Sequence, residues 1–331
     1  MKKKKSLKEK VVALLEKNRE TFLSGNSMAE SLGVSRTSIW KAVKSLENDG
    51  YIIDAVTNKG YRLRSFTDVL SDAGINKYLE ENGGKWKISV YDEVASTNDI
   101  IREKAAQGAG EGEVAVAVKQ TAGKGRLGRS FYSPKGSGLY FSLLLKPEFP
   151  LDKVTLITTA AAVAVSRAVD KISGETTEIK WVNDVLLRQR KICGISTEAV
   201  FSAELGKLDY IVLGIGVNIY RPKGGFPKEI EGKAGYIFKR AQDDVRNRLT
   251  AEILTQFERI YDKIEDGSFV EEYRKRCGIL GKEILVCRKD ERIPALALDV
   301  DEACRLKVRY EGGKEELLNS GEISIKFDNY V

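Results

Sequence analysis

The 331-residue chain contains no histidine. That excludes Ser-His-Asp hydrolysis, histidine general bases and most zinc sites, so any catalysis must run on Lys, Arg, carboxylates, polar groups or a bound metal. Cysteine is scarce. Cys193, Cys277, Cys287 and Cys304 are widely scattered without paired metal-ligand spacing, and read as reduced, mostly structural thiols. Long apolar runs are missing too. The longest, around Ala160 to Val165, is flanked by Thr158, Thr159 and Ser166 and falls far short of a membrane span. Near the N-terminus, Val11 to Leu15 is too short for a signal-peptide core and no cleavage site follows. A cytoplasmic protein with no membrane partner is expected.

What is present is unevenly charged. Apolar content of 42% with 31% charged residues is ordinary for a globular chain, and the length suggests two or three domains. The net charge is +7, and residues 1–65 alone hold 14 Lys and Arg against 7 Asp and Glu. The rest of the chain is therefore neutral, and the basic fifth reads as a nucleic-acid-binding module.

The local pattern of that fifth agrees. Ser6 is placed to cap a helix to Asn18 carrying Leu7, Val11, Leu14 and Leu15 at helical spacing. Ser27 is expected to cap a short helix ending at Gly33, and Ser35 a longer one ending at Gly50, with Ile39, Val43 and Leu46 as its buried stripe. Two helices joined by Gly33-Val34 form a helix-turn-helix. Its second helix would expose Ser35, Arg36, Thr37, Trp40, Lys41 and Lys44 to a major groove. Residues 51–63 read as two strands about an Asn58-Lys59-Gly60 turn, a wing, from which Lys59 and Arg62, with the Lys2–Lys5 run, would neutralise phosphates. A small helical module with a solvated basic face is the alternative.

Beyond a linker at Ser65 to Asp68, the text to about Ile264 alternates strand-like and helix-like segments. Strands are expected at Lys87–Tyr91, Val114–Val118, Leu139–Leu144, Glu178–Trp181, Val185–Leu187, Gly194–Ala199 and Tyr210–Ile215, with helices at Asp152–Asp170 and Asp243–Glu265. Gly123-Lys124-Gly125-Arg126-Leu127-Gly128-Arg129 alternates glycines with cations, which suits a loop that holds an anion. It satisfies the dinucleotide spacing G-x-G-x-x-G, but turn residues follow it instead of a helix, which argues against that fold. A solvated basic turn is the other reading. Three more polar clusters interrupt the core text: Ser96-Thr97-Asn98, Lys180-Trp181-Val182-Asn183-Asp184 and Arg190-Lys191. Each alone is weak, since Ser96 or Thr97 could simply cap a helix beginning near Asp99. From about Gly278, five short strands separated by turns suggest a small barrel.

In this order the clusters resemble the bifunctional biotin protein ligases that also act as biotin-operon repressors. Gln120 with the glycine loop, Arg190-Lys191-Ile192-Cys193-Gly194-Ile195, Gly214-Ile215-Gly216-Val217-Asn218 and Ser320-Gly321-Glu322-Ile323-Ser324 also match. The resemblance implies a multidomain α+β chain: a winged helix-turn-helix over 1–65, a central mixed α/β class II synthetase-like ligase domain over 66–276, and an SH3-like β-barrel over 277–331. It implies formation of biotinyl-5′-adenylate from biotin and ATP, with Mg2+ on the triphosphate. Biotin then passes to a lysine of a biotin carboxyl carrier protein, and an adenylate-induced homodimer binds operator DNA.

Biotin contacts would fall on Ser96, Thr97, Asn98, Gln120, Lys124, Gly125, Arg126 and Lys191. The adenylate loop would comprise Gly123, Lys124, Gly125, Arg126 and Arg129 with Asn183 and Asn218, and catalysis would use Lys191, Arg126 and Asp184. Two departures stand out: the family usually has arginine where Lys124 stands and proline where Val182 stands. The first keeps a charge but loses a bidentate fork. A non-catalytic biotin-sensing regulator and a lipoate–protein ligase are the alternatives.

Overall fold

The computed structural model describes the chain except for residues 1–5, 20, 65–66, 81–84, 150–152, 203–206, 289–290, 320–321 and 326–331. The Lys2–Lys5 run, Ser65, Phe66, Ser320 and Gly321 lie outside the described residues. Two compact units form: residues 1–84 with 240–252, and residues 85–239 with 253–331. The cuts differ from the three segments read from the sequence, because residues 67–80 and 240–252 pack with the winged helix.

In the first unit, α1 (Leu7–Lys17) starts with a capping box in which Ser6 and Glu9 each satisfy the other's backbone N–H. Helix α2 (Gly25–Leu32) is capped by Ser24, which accepts from Ser27 N. The cap expected at Ser27 is therefore three residues early, since Ser27 lies inside the first turn as the donor. Gly33, at φ 65°, closes α2, and Ser35 caps α3 (Arg36–Asn48). Ile39, Val43 and Leu46 of α3 are buried with Val11, Leu15, Met28 and Leu63.

Strands β1 (Ile53–Val56) and β2 (Gly60–Leu63) pair antiparallel, and Tyr61 exchanges both backbone hydrogen bonds with Leu23 at 2.8 Å. A side chain at Gly60 would collide with the Leu23 carbonyl, so this turn demands glycine. Helix α4 (Asp72–Glu80) follows.

A buried polar network draws residues 240–252 into this unit. Arg19 binds Glu16 at 2.7 Å and Asp244 at 3.1 Å. Asp244 in turn accepts from Tyr78 at 2.9 Å and Asn247 at 2.6 Å. Burial pushes the Glu16 carboxyl above its usual range, against the pull of Arg19.

The second unit is built on a seven-stranded sheet of order β3-β4-β5-β9-β8-β7-β6. Its strands are β3 (Lys87–Tyr91), β4 (Glu113–Ala117), β5 (Gly138–Leu145), β6 (Glu178–Lys180), β7 (Asp184–Leu187), β8 (Arg190–Ser202) and β9 (Lys207–Asn218). Only the β3–β4 pair is parallel among these pairings. Helix α5 (Thr97–Ala106) supplies the crossover between β3 and β4 and packs on β4, β5 and β9. Helix α6 (Val154–Ser173) packs on β6, β7 and β8. No described helix is long and apolar enough to cross a membrane.

Helices α7 (Lys228–Glu231), α8 (Val245–Tyr261) and α9 (Val270–Arg276) follow. Strands β10 (Glu283–Arg288), β11 (Glu291–Val300), β12 (Leu306–Tyr310), β13 (Glu315–Leu318) and β14 (Glu322–Ile325) then form an antiparallel sheet of order β13-β12-β11-β10-β14. This sheet braces the loop between β6 and β7: Trp181 Nε1 donates to Cys304 O at 2.9 Å. From α9, Tyr273 donates to Val182 O at 3.2 Å.

Candidate ligand cleft and DNA-facing helix

One face of the large sheet carries an open cleft with about 430 Å³ of space, counting its mouth. Its floor consists of the ends of β5, β8 and β9. Gly194, Gly214 and Gly216 leave side-chain space empty there, and the Phe131 ring fills part of it. A Cβ on Gly216 would come within 2.6 Å of that ring. Phe141 and Ile195 complete the apolar lining.

The polar wall begins where α5 begins. Ser96 is the N-cap and accepts from Asn98 N at 3.3 Å, so the helix starts at Thr97, two residues before the expected Asp99. Capping and cleft lining are thus combined in one residue, and the two readings of Ser96 do not compete. Residues 120–122 run beside 94–95, with Thr121 N and Ala122 N bonded to Val94 O and Ala95 O. That pairing sets Gln120 next to Thr97, whose N–H donates to Gln120 Oε1 at 2.8 Å.

The glycine loop is a tight hairpin. Phe131 N donates to Gly123 O at 2.8 Å and Gly125 N to Arg129 O at 2.7 Å, around a 3-10 turn at Arg126–Gly128. Gly123 is needed for close approach, since a Cβ would stand 2.5 Å from Phe131 O, and Gly128 for its φ of 74°. The turn does not open a long helix, so the dinucleotide reading has no structural counterpart.

Cations with their partners stand on both sides of the cleft. Arg126 donates to Asn183 Oδ1 at 2.9 Å, and Asn183 donates to Ile195 O at 2.9 Å. Lys191 pairs with Asp184 at 2.6 Å. Lys124 pairs with Asp99 at 2.6 Å, and Asp99 also pairs with Arg102. Beneath them burial drives the Cys193 thiol far above its normal range despite the nearby Lys191 ammonium, so it is inert.

Of the residues singled out in the sequence, Ser96, Thr97, Asn98, Gln120, Lys124, Gly125, Arg126, Asn183 and Lys191 line the cleft together. Asp184 reaches it through Lys191. Gly123, Arg129 and Asn218 are not among the lining residues; Gly123 is buried behind the hairpin, and Arg129 is exposed. Sequence reasoning missed Phe131, Phe141, Ser142, Ser196 and Glu198. The alternating glycines of β9 were the available signal for a ring lying across the strands.

In the first unit, Ser35, Arg36, Thr37, Trp40, Lys41, Lys44 and Lys59 are all exposed. Trp40 keeps 50% of its surface accessible, which a purely structural tryptophan would not. Arg62 differs from expectation. It is half-buried, paired with Asp54 at 2.9 Å and stacked 4.5 Å over the Phe22 ring, so it fastens the wing.

Comparison with known proteins agrees with this arrangement. Residues 90–218 match the biotin/lipoate A/B protein ligase family, residues 8–62 an HTH domain, and residues 279–326 the biotin protein ligase C-terminal domain. The chain is 35% identical over 257 residues to the bifunctional ligase/repressor BirA of Bacillus subtilis, covering 77% of this chain and 78% of that one. The chain belongs to the bifunctional biotin ligase/repressor family. The Escherichia coli member is 25% identical over 96% of both chains. Among solved structures, the biotin protein ligase of Aquifex aeolicus in complex with biotin and ATP superposes with a TM-score of 0.62 at 27% identity, covering 73% of this chain and 99% of that one. Membership in the ligase/repressor family accounts for both the cleft and the exposed basic helix.

Proposed function

We propose that the cleft binds biotin and ATP, joins them as biotinyl-5′-adenylate with release of pyrophosphate, and passes the biotinyl group to a lysine of a carrier protein. The observation that carries this reading is the meeting in one cleft of urea-matching groups, Ser96, Thr97 and Gln120, with the cations Lys124, Arg126 and Lys191. In the first step a carboxylate oxygen attacks the α-phosphorus and the bond from that phosphorus to the α,β-bridging oxygen breaks, so that pyrophosphate leaves; two anions must be held together. Positioned cations in a partly dry cleft supply that stabilisation, and no protein nucleophile is required. Lys191 and Arg126 serve it, with Mg2+ arriving on the triphosphate as part of the substrate. Asn183 and Asp184 hold those two cations in place.

In the second step the incoming lysine amine loses a proton and attacks the mixed-anhydride carbonyl, expelling AMP. Asp184 is the nearby carboxylate and is assigned as the acceptor of that proton. The glycine hairpin closes over the adenylate, with Arg129 and Asn218 contributing from beyond the cleft's lining. Its ordering favours a homodimer whose recognition helices, α3, read a palindromic operator. The protein works in the cytoplasm, with functional segments 1–65, 66–276 and 277–331.

Incubation with ATP and either biotin or lipoate, following pyrophosphate, tests the reading. Release with biotin alone is expected. Release with lipoate would make it a lipoate ligase, and none with either would leave a ligand-sensing regulator.

A further inference from the structure

Behind the cleft floor a hydrogen-bonded chain leads away from Thr97. Its end is Glu198 on β8, half-buried and paired with Arg102 at 3.2 Å. A carboxylate in an ion pair can only accept hydrogen bonds. It takes Asn98 Nδ2 at 2.7 Å, which fixes the orientation of that buried amide and leaves Asn98 Oδ1 facing Ser142. Ser142 is fully buried on β5 and donates its one proton to Asn98 Oδ1 at 2.6 Å.

Ser142 must therefore accept from Thr97, whose hydroxyl lies 2.7 Å away, because two lone pairs would otherwise oppose each other at that distance. Thr97 Oγ1 also lies 3.1 Å from Gln120 Oε1, a longer contact to an oxygen that the Thr97 N–H supplies at 2.8 Å, whereas Ser142 Oγ has no other donor to face among the described residues. The shorter contact claims the proton. Thr97 then has only lone pairs left for the cleft. Gln120, with Oε1 engaged and one Nε2 proton on Ser133 Oγ at 3.0 Å, retains a second N–H to donate.

We propose that Glu198 is a positioning residue that sets the direction of this hydrogen-bond chain, Thr97 to Ser142 to Asn98 to Glu198, and thereby makes Thr97 an obligate acceptor for a ligand N–H. The device rests on the biotin reading and deepens it: the site demands an N–H donor at Thr97, which a urea ring supplies and a dithiolane does not. Gly214 belongs to the same device, since a Cβ there would lie 2.6 Å from Ser196 Oγ and also collide with Asn98 Oδ1. Specificity set this way is strong, because a ligand lacking the donor leaves a buried lone pair without a partner.

The test is Glu198→Gln, which keeps shape but has one oxygen for two donors: with that oxygen on Arg102, the amide N–H faces Asn98, so the Asn98 amide turns over and the chain loses its direction. The readouts are pyrophosphate release with biotin and with a biotin analogue methylated on one ureido nitrogen. In Glu198→Gln the KM for biotin is expected to rise roughly tenfold, the size of one lost hydrogen bond, while the KM for ATP stays within twofold. The wild type is expected to reject the methylated analogue, and the variant to discriminate less between the two ligands. Ser142→Ala, which cuts the chain in its middle, should show the same split.

A general packing defect would instead lower activity with every substrate alike, and that result overturns the proposal. So does a biotin KM unchanged in both folded variants. If the wild type itself releases no pyrophosphate with biotin, the functional reading fails and the inference with it. If the wild type is active and the variants match it, only the inference fails.

Discussion

Gly123→Ala probes the hairpin most directly. Gly123 does not need a positive φ, so the whole penalty is steric. The new methyl would stand 2.5 Å from Phe131 O, 2.7 Å from Ser133 Oγ and 2.9 Å from Gln120 Nε2. The serine and glutamine can rotate away, but the carbonyl belongs to a backbone that also accepts from Ser133 Oγ at 2.9 Å. Real Cβ contacts do not fall below 3.0 Å, so the two hairpin strands must part by about 0.5 Å or more.

Overpacking of this kind costs about 1–3 kcal/mol. The strain is carried by a surface hairpin, so the melting temperature should fall by only a few degrees. Its effect on the ligand should be larger, because a displacement approaching 1 Å at a reacting site costs about 100-fold. The expected result is pyrophosphate release reduced roughly 10- to 100-fold and faster loss of bound adenylate, followed by chasing labelled adenylate with unlabelled biotin. Operator binding at fixed biotin should weaken in parallel. Full adenylate retention in Gly123→Ala would refute the close-approach argument. Loss of retention with unaltered operator binding would refute the coupling between hairpin and repression.

Other outcomes follow from the same geometry. Lys191→Met should lower kcat/KM for adenylation by about 100-fold or more. Its side chain is 37% exposed, so urea denaturation should move by less than about 1 kcal/mol. Asp184→Asn should slow transfer from preformed adenylate; transfer at the wild-type rate would remove its assigned role. Trp40→Ala and Lys41→Ala should weaken operator binding without changing pyrophosphate release, and Lys59→Ala should reduce the salt slope of DNA binding by about one.

Burial raises the Cys277 and Cys304 thiols to about 12, so the folded state holds their protons where an unfolded thiol, near its ordinary value of 9.0, has lost them. Stability from these groups is complete below about pH 9 and falls as pH rises towards 12. A denaturant midpoint that rises between pH 8 and pH 10 would contradict this. Alkylation of the native protein at pH 8 should spare Cys193, Cys277 and Cys304, all of which are buried.

Much of the winged helix was readable because its determinants are local. Ser6, Ser35 and Gly33 act within one helical turn, and Ile39, Val43 and Leu46 face one side by helical period alone. The Ser24 cap was harder to read, because Ser24, Asn26 and Ser27 are all competent caps and packing of Met28 decides the start. Strand existence in the second unit was also legible, from apolar runs such as Leu139–Leu144. Strand length was not. β8 and β9 run to 13 and 12 residues because they pair with each other along nearly their whole lengths.

Three things are legible in the chain alone: that histidine chemistry is absent, that the excess positive charge sits in a helix-turn-helix, and which polar clusters interrupt the core. Composition and short-range spacing carry all three, and neither depends on what packs where. Three-dimensional packing was needed to show which clusters share one cleft, that Phe131 lies across the glycines of β8 and β9, and that Glu198 stands behind Asn98 at a separation of 100 residues. Such pairings depend on sheet order and register, and a hydrogen bond's direction depends on every partner along its chain. No local window of sequence contains them.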